Sequence, residues 1–403
     1  MAKILSVSVF VFYIFIQGVH AQDDVFSFNR GNTEQTNYYI EIPYQNINRK
    51  IVIEVILNGK TRKFLVDTGA PLTITENLFK EMKLPVLRNE SLKDANGIED
   101  SAKVVSLSGL NIGGVIFNAV PAIVKNTDFF SCWGIDGVIG SNLLRNSIIQ
   151  FDSNEKTIIL ADYFPENVFL GKGVSTEMKL DSINSTPIIP IFLFNEEKGY
   201  SVYHEVLFDT GDEALYAVSI DNYNFFEENV PGLFTKYAES EGTHTISINT
   251  AINQQHYLLG IPEVLINGVS IKNVIAKTSH SSNSRIGVSI LDAGTVMLDY
   301  IDKKFYLYPV VNMPQKYPTI EPVFKEGKFV IGIIWDKSLK DKINTGDEII
   351  KIGDINYNLY DLCDFYNDKI PFVDRTDFVT VVFKDVDTGK QKSIKLLLDN
   401  DIQ

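Results

Sequence analysis

The sequence of 403 residues lacks the short motifs that mark the common metal, nucleotide and serine-nucleophile sites. It contains no HExxH, CxxC or GxSxG segment and no phosphate-binding P-loop, and it has only five histidines. Those motifs are typical of zinc or thiol sites, α/β-hydrolase nucleophiles and nucleotide sites. We therefore expect no metal and no cofactor, and the sequence gives no support for a serine hydrolase or a P-loop enzyme.

Cysteine is nearly absent. Cys132 and Cys363 are the two in the chain, about 230 positions apart and in different predicted domains. An oxidising compartment would permit a bridge between them, but two cysteines do not indicate a disulfide framework. We expect two buried free thiols.

Long apolar runs are also absent, apart from one at the N-terminus. Lys3 is followed by an apolar run from Ile4 to Ile16 and by a small-residue site ending at Ala21. This order is typical of a signal peptide, and the run is short for a membrane span. The alternative is an amphipathic or buried N-terminal segment. We expect residues 1–21 to be removed and the chain to be exported, to the periplasm or outside the cell, without a membrane span.

Positive charge is in deficit, since the formal net charge is −14. Such a chain repels nucleic-acid phosphates and anionic lipid, so we expect neither as a partner. The hydrophobic content of 45% and charged content of 22% are ordinary for a globular protein, and the length allows two or three domains.

What is present is an internal repeat. Short β-branched and aromatic runs between Asn, Gly and Asp predict a mainly β protein. Asp67 and Asp209 each begin an Asp-Thr-Gly after an apolar strand and are 142 positions apart, while Gly140 and Gly287 are 147 apart. Further paired segments are 110–120 with 265–275, and 137–160 with 284–307. This order indicates a duplicated domain, with predicted lobes at 22–165 and 166–312.

A third Asp-Thr-Gly, Asp387 to Gly389, lacks these companions. It lies between two alternating strands and is flanked by Lys384, Lys390 and Lys392. The pattern predicts the exposed tip of a hairpin. The tripeptide alone therefore does not identify a site.

Two strand-end aspartates brought together by a twofold repeat have a definite chemistry. Like charges at close range prevent both carboxyls from ionising easily, so the pair shares one proton. Such a pair can activate water as a general base and protonate a leaving amine as a general acid. The Thr hydroxyl can lock the loop to its symmetry mate, and Gly lets the backbone come close to the carboxylate.

Residues 38 to about 309 resemble a single-chain aspartic protease of the retropepsin and pepsin type. The resemblance lies in FLVDTGA followed by VIG, and VLFDTGD followed by RIG. It implies a bilobal fold of two retropepsin-like β-barrel lobes, an endopeptidase with polypeptide substrates, and Asp67 and Asp209 as the catalytic dyad. The residues it assigns to support of the dyad are Thr68, Gly69, Thr210, Gly211, Ile139, Gly140, Ile286 and Gly287.

The resemblance also implies a flap, and two positions depart from the family pattern. Ser91 to Val105 is the candidate flap, with Asn96 and Gly97 at its tip, and a plain surface hairpin is the alternative. Asp212 follows the second Asp-Thr-Gly where the family has Ser, Thr or Ala. It would modulate the dyad by raising its proton affinity if it points inward, and would do little if it points to solvent. Arg285 replaces an apolar residue, and its charge suggests pairing with Asp212.

The C-terminal residues 318–400 have a different pattern. INTGDEIIKIGD resembles part of a PDZ domain, a small α/β fold that accepts a peptide, often a C-terminus, as an added strand. We expect a carboxylate loop around Lys325 to Phe329 and a binding edge at Val330 to Ile334. The alternative is a small α/β cap that only packs on the lobes.

Three functions are compatible with these features. The first is a secreted aspartic endopeptidase with a PDZ-like domain for polypeptide recognition. The second is a peptide-binding protein with a protease fold and a dyad impaired by Asp212. The third, favoured least because of the ordered repeat, is a structural extracellular β protein in which both Asp-Thr-Gly segments are turns.

Overall fold

The computed structural model describes residues 26–93, 99–163, 175–243, 253–309, 316–367 and 378–401. Within these ranges the chain is mainly β, as the sequence predicts, with short helices between strands. The expected signal peptide, residues 1–21, and the expected flap tip, Asn96 and Gly97, lie outside the described residues. No described helix is both long and apolar enough to span a membrane.

The first lobe comprises the described residues up to 163. Its strands are β1 (Asn32–Thr33), β2 (Tyr39–Ile47), β3 (Lys50–Leu57), β4 (Lys60–Asp67), β5 (Thr73–Ile74), β6 (Val86–Lys93), β7 (Glu99–Leu107), β8 (Leu110–Ile112), β9 (Val115–Asn118), β10 (Val120–Val124), β11 (Ile135–Gly140), β12 (Ile148–Asp152) and β13 (Thr157–Ala161). Its helices are α1 (Glu76–Met82), α2 (Asp128–Trp133) and α3 (Ser141–Leu144).

The second lobe comprises the described residues from 175 to 309. Its strands are β14 (Ser175–Glu177), β15 (Lys179–Leu180), β16 (Pro187–Asn195), β17 (Tyr200–Asp209), β18 (Tyr216–Ser219), β19 (Thr235–Thr243), β20 (Asn253–Ile266), β21 (Val269–Ser279), β22 (Arg285–Gly287), β23 (Gly294–Asp299) and β24 (Lys304–Pro309). It has one α-helix among the described residues, α4 (Ile220–Asn229), and 3₁₀ turns at Glu196–Lys198 and Val288–Asp292.

The C-terminal domain comprises the described residues from 316 to 401. Its strands are β25 (Lys316–Pro318), β26 (Ile320–Lys325), β27 (Lys328–Ile334), β28 (Glu348–Ile352), β29 (Ile355–Asn356), β30 (Phe378–Lys384), β31 (Gln391–Leu397) and β32 (Asp399–Asp401). Helix α5 (Leu362–Asn367) and 3₁₀ turns at Lys337–Leu339 and Tyr357–Leu359 complete the described part. The boundaries predicted near 165 and 312 fall at segments outside the described residues and stay predictions.

The two lobes repeat one strand topology. In the first lobe β4 runs parallel to β11, which is antiparallel to β5, and β5 runs parallel to β10. In the second lobe β17, β22, β18 and β21 make the same three pairings in the same senses. The internal repeat in the sequence is therefore a repeat in space.

A shared sheet and a shared core hold the lobes together. Strand β12 of the first lobe pairs antiparallel with β23 of the second, with Ile148 opposite Asp299. One continuous cluster of buried apolar side chains extends through both lobes. Strand β3 shows how the sequence supplies it, because Ile53, Val55 and Leu57 point inward while Glu54 and Ile56 face solvent.

The C-terminal domain has its own core but is attached to both lobes. Strands β26, β27, β28, β30 and β31 form its sheet in that order, and β29 pairs with β28. On the second lobe, Ser240 Oγ of β19 accepts a 3.2 Å hydrogen bond from the Ile334 backbone N–H of β27. Ile333 and Trp335 pack there against Ala238 and Leu258.

The expectation of two free thiols was wrong. Cys132 of α2 and Cys363 of α5 form a disulfide, with their Cα atoms 5.0 Å apart. The two cysteines are 231 positions apart and are brought together because α5 packs on α2. There the ring centroid of Tyr366 lies 6.0 Å from that of Trp133. The positions of the two cysteines in the sequence do not predict this contact.

Two details expected of the C-terminal domain differ in the structure. Lys325 pairs directly with Lys328, and Glu326 and Gly327 have φ of +53° and +78°, so a two-residue hairpin turn occupies the expected carboxylate loop. The expected binding edge, Val330 to Ile334, belongs to an interior strand. Strand β26 pairs along one side of it, β28 pairs with Val330 on the other side, and Ile333 packs against the second lobe. The third Asp-Thr-Gly is an exposed turn between β30 and β31, as predicted.

Candidate active site

Two equivalent strand ends bring Asp67 and Asp209 together. Strand β4 ends at Asp67, which is level with Gly140 on the parallel strand β11, and β17 ends at Asp209, level with Gly287 on β22. Both strands are apolar and buried where they approach the aspartates. Each carboxyl lies against the glycine of the opposite tripeptide and interacts with the other carboxyl, so the repeat creates one carboxyl pair.

The threonines that follow the aspartates lock the two loops together. Thr68 Oγ1 donates to the Phe208 carbonyl over 2.7 Å and accepts from the Thr210 N–H over 3.0 Å. Thr210 Oγ1 donates to the Val66 carbonyl over 3.0 Å and accepts from the Thr68 N–H over 3.1 Å. Both threonines are fully buried. These four bonds cross between the lobes and fix the separation of the carboxyls.

The glycines of both tripeptides are required by close approach. The Gly69 N–H donates to Asp67 Oδ1 over 2.8 Å, and the Gly211 N–H donates to Asp209 Oδ1 over 2.9 Å. A Cβ on Gly69 would overlap the carboxyl of Asp209, and one on Gly211 would overlap that of Asp67. Any side chain there would force the carboxyls apart.

Each loop is supported from behind by the crossing strand. A Cβ on Gly140 would overlap the backbone at Ala70, and one on Gly287 would overlap the backbone at Asp212. The residues that precede these glycines, Ile139 and Ile286, are fully buried. The eight supporting positions expected from the sequence therefore all lie at or directly behind the carboxyl pair.

The environment of the carboxyl pair favours retention of a proton. Burial, together with the charge and the hydrogen bond of Asp209, raises the pKa of Asp67 from 3.8 to about 8. The Gly69 N–H and the Lys50 ammonium oppose this rise without cancelling it. One proton shared by two carboxyls is the state that acid–base hydrolysis requires.

Asp212 and Arg285 form a charged extension of the pair. Arg285 Nε lies 3.3 Å from Asp212 Oδ2, as the charges suggested, and Arg285 Nη1 also lies 3.3 Å from Asp209 Oδ2. The Arg285 side chain is 6% exposed. Burial raises the pKa of Asp212 despite the opposing charge of Arg285. Asp212 therefore points inward, which the sequence left open.

Comparison with known proteins agrees with this geometry in the first lobe. The family model described as gag-polyprotein putative aspartyl protease matches residues 53–146, the segment that carries Asp67 and Gly140. Over that range the chain is similar to this family. No curated protein matches the chain.

Solved structures include a retropepsin-like aspartic protease from Rickettsia conorii at 20% identity. The match covers 32% of this chain and 94% of that chain, with a TM-score of 0.23. That score is too low to add to what the geometry shows.

Lys50 is a site residue that the sequence did not reveal. Its Nζ donates to the Gly211 carbonyl over 2.6 Å and lies 3.1 Å from Glu213 Oε1. Burial lowers the pKa of Lys50, but Glu213, Asp212 and Asp67 outweigh burial and raise it. Its partners are about 160 positions away, and no local motif marks the position.

Ser141 and Tyr300 are a second pair that the sequence did not reveal. Ser141 Oγ lies 2.7 Å from the Thr68 carbonyl and 2.8 Å from Tyr300 Oη. Both residues are buried, and Tyr300 belongs to the second lobe. The pair connects the first Asp-Thr-Gly loop to the second lobe independently of the threonine bonds.

The candidate flap is described only in part. Strands β6 and β7 pair from Val86 opposite Val105 to Lys93 opposite Glu99, which forms the two arms of the expected hairpin. Asn96 and Gly97 belong to the undescribed segment 94–98, so their role as a flap tip stays a prediction.

No metal-binding cluster of three or more His, Cys, Asp or Glu is present among the described residues. His204 packs instead against aromatic rings, with centroids 5.2 Å from Phe226 and 6.4 Å from Tyr216. Burial lowers its pKa to about 4, so it is neutral at pH 7. A structural role suits His204.

Proposed function

We propose that this protein is an aspartic endopeptidase that hydrolyses polypeptides with a water molecule activated between Asp67 and Asp209. The observation that carries the proposal is the carboxyl pair, in which each carboxyl lies against the glycine of the opposite tripeptide and interacts with the other carboxyl. It is formed by two equivalent strand ends and locked by four threonine hydrogen bonds.

The protonation state assigns different roles to the two carboxyls. Asp209, which is in contact with Arg285, removes a proton from water while the water oxygen bonds to the scissile carbonyl carbon. Asp67, which holds the proton, donates it to the carbonyl oxygen. When the C–N bond breaks, the proton on Asp209 passes to the leaving nitrogen, and a hydroxyl proton of the collapsing intermediate returns to Asp67.

We infer further that the enzyme is exported. The N-terminal 21 residues have the order of a signal peptide. The Cys132–Cys363 disulfide supports the same inference, because such bonds persist in oxidising compartments. Recognition of a C-terminal peptide by the C-terminal domain stays a prediction, and the buried position of Val330 to Ile334 counts against that edge as its site.

Cleavage of a diverse peptide pool tests the proposed activity. Residues 22–403 would be incubated with the pool from pH 3 to 8, beside Asp67→Asn and Asp209→Asn. We expect each variant to lower kcat/KM by at least about 10³-fold, since both proton transfers need the dyad. Asp387→Asn, in the exposed third tripeptide, is the matched control and should retain full activity. Equal cleavage by all four proteins, or none at any pH, would refute the proposal.

The Arg285 contact also favours a second candidate, a peptide-binding protein with an impaired dyad. A buried guanidinium on Asp209 weakens that carboxylate as a base. This candidate predicts that wild-type protein binds peptides from the pool without cutting them. Retention of intact peptides on immobilised protein, with no cleavage from pH 3 to 8, would favour it.

A further inference from the structure

The pseudo-twofold repeat provides an internal reference for the charges around the dyad. Val138 on β11 is level with Leu65, two residues before Asp67, and Arg285 on β22 is level with Leu207, two residues before Asp209. The residues after the tripeptides, Ala70 and Asp212, also occupy equivalent places. The Ser141 N–H, which follows Gly140, donates to the Ala70 carbonyl over 3.1 Å. The Val288 N–H, which follows Gly287, donates to the Asp212 carbonyl over 2.8 Å. The first lobe has an apolar pair where the second has an ion pair.

This ion pair contacts one carboxyl of the dyad directly. Arg285 reaches Asp209 Oδ2 with Nη1 and Asp212 Oδ2 with Nε, each over 3.3 Å. Asp212 is itself held by the Ala214 N–H, which donates to its Oδ1 over 2.8 Å. Among the described residues, Asp67 has no ion pair of this kind, and its neighbours are the Gly69 N–H and Asp209.

The chemistry of the guanidinium determines what this contact does. Arg does not lose its charge in proteins, so a buried Arg285 is a permanent cation. A cation in contact with a carboxylate favours its ionised form, commonly by 1–3 pKa units. The carboxylate in contact is that of Asp209, because Arg285 Nη1 lies 3.3 Å from its Oδ2.

We propose that Arg285, held in place by Asp212, is a positioning residue that leaves the single proton of the dyad on Asp67 and keeps Asp209 as the ionised base. Among the described residues, the charged and titratable groups at the dyad and around it are Asp67, Asp209, Asp212, Arg285, Lys50, Glu213 and Tyr300. Lys50 is engaged by the Gly211 carbonyl and Glu213, so Arg285 is the cation in direct contact with the dyad within the described part of the chain. The consequence for cleavage rests on the proposed peptidase function, whereas the protonation states do not.

Substitutions that copy the first lobe into the second test this inference. The set is Arg285→Val, Asp212→Ala and the double variant, which reproduces Val138 and Ala70. Arg285→Lys retains a cation at the position. The double variant removes Asp212 together with its cation, so it leaves one unpaired carboxylate fewer than Arg285→Val and should fold even if that single variant does not.

The main readout is the titration of the side-chain carboxyl carbons in ¹³C-aspartate-labelled residues 22–403, assigned with Asp67→Asn and Asp209→Asn. We expect Arg285→Val to raise the lower pKa of the dyad by about 1–3 units. Asp212→Ala should lower this pKa, since Arg285 then forms an ion pair with Asp209 alone. Arg285→Lys should stay close to wild type, and the double variant should lie between the two single variants.

The cleavage profile is measured on the same proteins. The acidic limb of kcat/KM against pH should move with the lower pKa, upward in Arg285→Val and downward in Asp212→Ala. A role confined to folding would lower activity without moving the limb in opposite directions. If the lower of the two dyad pKa values were the same in wild type and Arg285→Val, the inference would be overturned even if peptides are cut. Shifted pKa values without any cleavage would support the inference and refute the proposed peptidase function.

Discussion

At the residue scale, Asp67 couples stability to pH. The unfolded chain releases this proton near pH 3.8, whereas the folded protein holds it to about pH 8. Between these values the folded state binds more protons, so the contribution of Asp67 to stability is full below about pH 4 and is lost as pH rises toward 8. We therefore compare the unfolding free energy of wild type with that of Asp67→Asn. We expect the wild-type value minus the variant value to fall, between these two pH values, by up to about 1.4 kcal/mol per pH unit.

Urea denaturation at pH 4, 6 and 8 measures this dependence. Asp387→Asn is the control, because Asp387 is exposed and its variant should follow the wild-type curve at every pH. Parallel curves for wild type and Asp67→Asn would show that Asp67 titrates normally, and would contradict the prediction.

Lys50 should matter more than an exposed lysine of the same lobe. In Lys50→Met the Gly211 carbonyl loses its donor, which costs about 1–3 kcal/mol. Loss of the cation also raises the pKa of Asp67 further. Lys60→Met, at an exposed ion pair with Glu81, should cost less than about 1 kcal/mol. Urea midpoints of the two variants decide this, and equal losses would contradict a special role for Lys50.

The residues that sequence reasoning found and missed differ in how their partners are encoded. Asp67 and Asp209 could be predicted because the repeat places both in the same local context, and the third tripeptide lacks that context. Lys50 and Tyr300 could not, because their roles depend on contacts between lobes with no repeated pattern. Arg285 could be predicted in part. A charged residue on an apolar strand was evident from the sequence, but its contact with Asp209 became visible only in the structure.

At the scale of elements, the two Asp-Thr-Gly loops are stabilised by each other. In Thr68→Val the Phe208 carbonyl and the Thr210 N–H would both lose a buried partner. Each such loss costs about 1–3 kcal/mol, so we expect a destabilisation of roughly 2–6 kcal/mol by urea denaturation. Thr68→Ser retains the hydroxyl and should recover most of it. Similar stability of the Val and Ser variants would mean that the loops do not depend on these bonds.

The elements also show where local pattern stops being informative. Alternating strands such as β3 and the hairpin at Asp387 could be predicted because burial on one face imposes a period of two. The edge predicted at Val330 to Ile334 was wrong because a sequence pattern identifies a strand but not what covers it. Here β26 and β28 pair with that strand on its two sides, and β19 packs against it.

At the scale of the whole molecule, the C-terminal domain bridges the lobes. It is bonded to the first lobe by the disulfide and packs on the second lobe through β27 and β19. Gly242 and Gly332 meet there so closely that a Cβ on either would overlap the opposite backbone. The domain therefore restrains two lobes whose relative position sets the carboxyl pair, and it does so from outside the dyad.

Removal of the disulfide should loosen this bridge. Cys132→Ser with Cys363→Ser opens a loop of 231 positions, and bonds of this kind contribute about 2–5 kcal/mol. We expect a lower thermal midpoint and faster proteolysis of the C-terminal domain, both reproduced in wild type by a thiol reductant. The double variant should not respond to the reductant, which separates loss of the bond from damage by substitution. If reductant left the wild-type midpoint unchanged, the contacts of β27 with β19 alone would hold the domain in place.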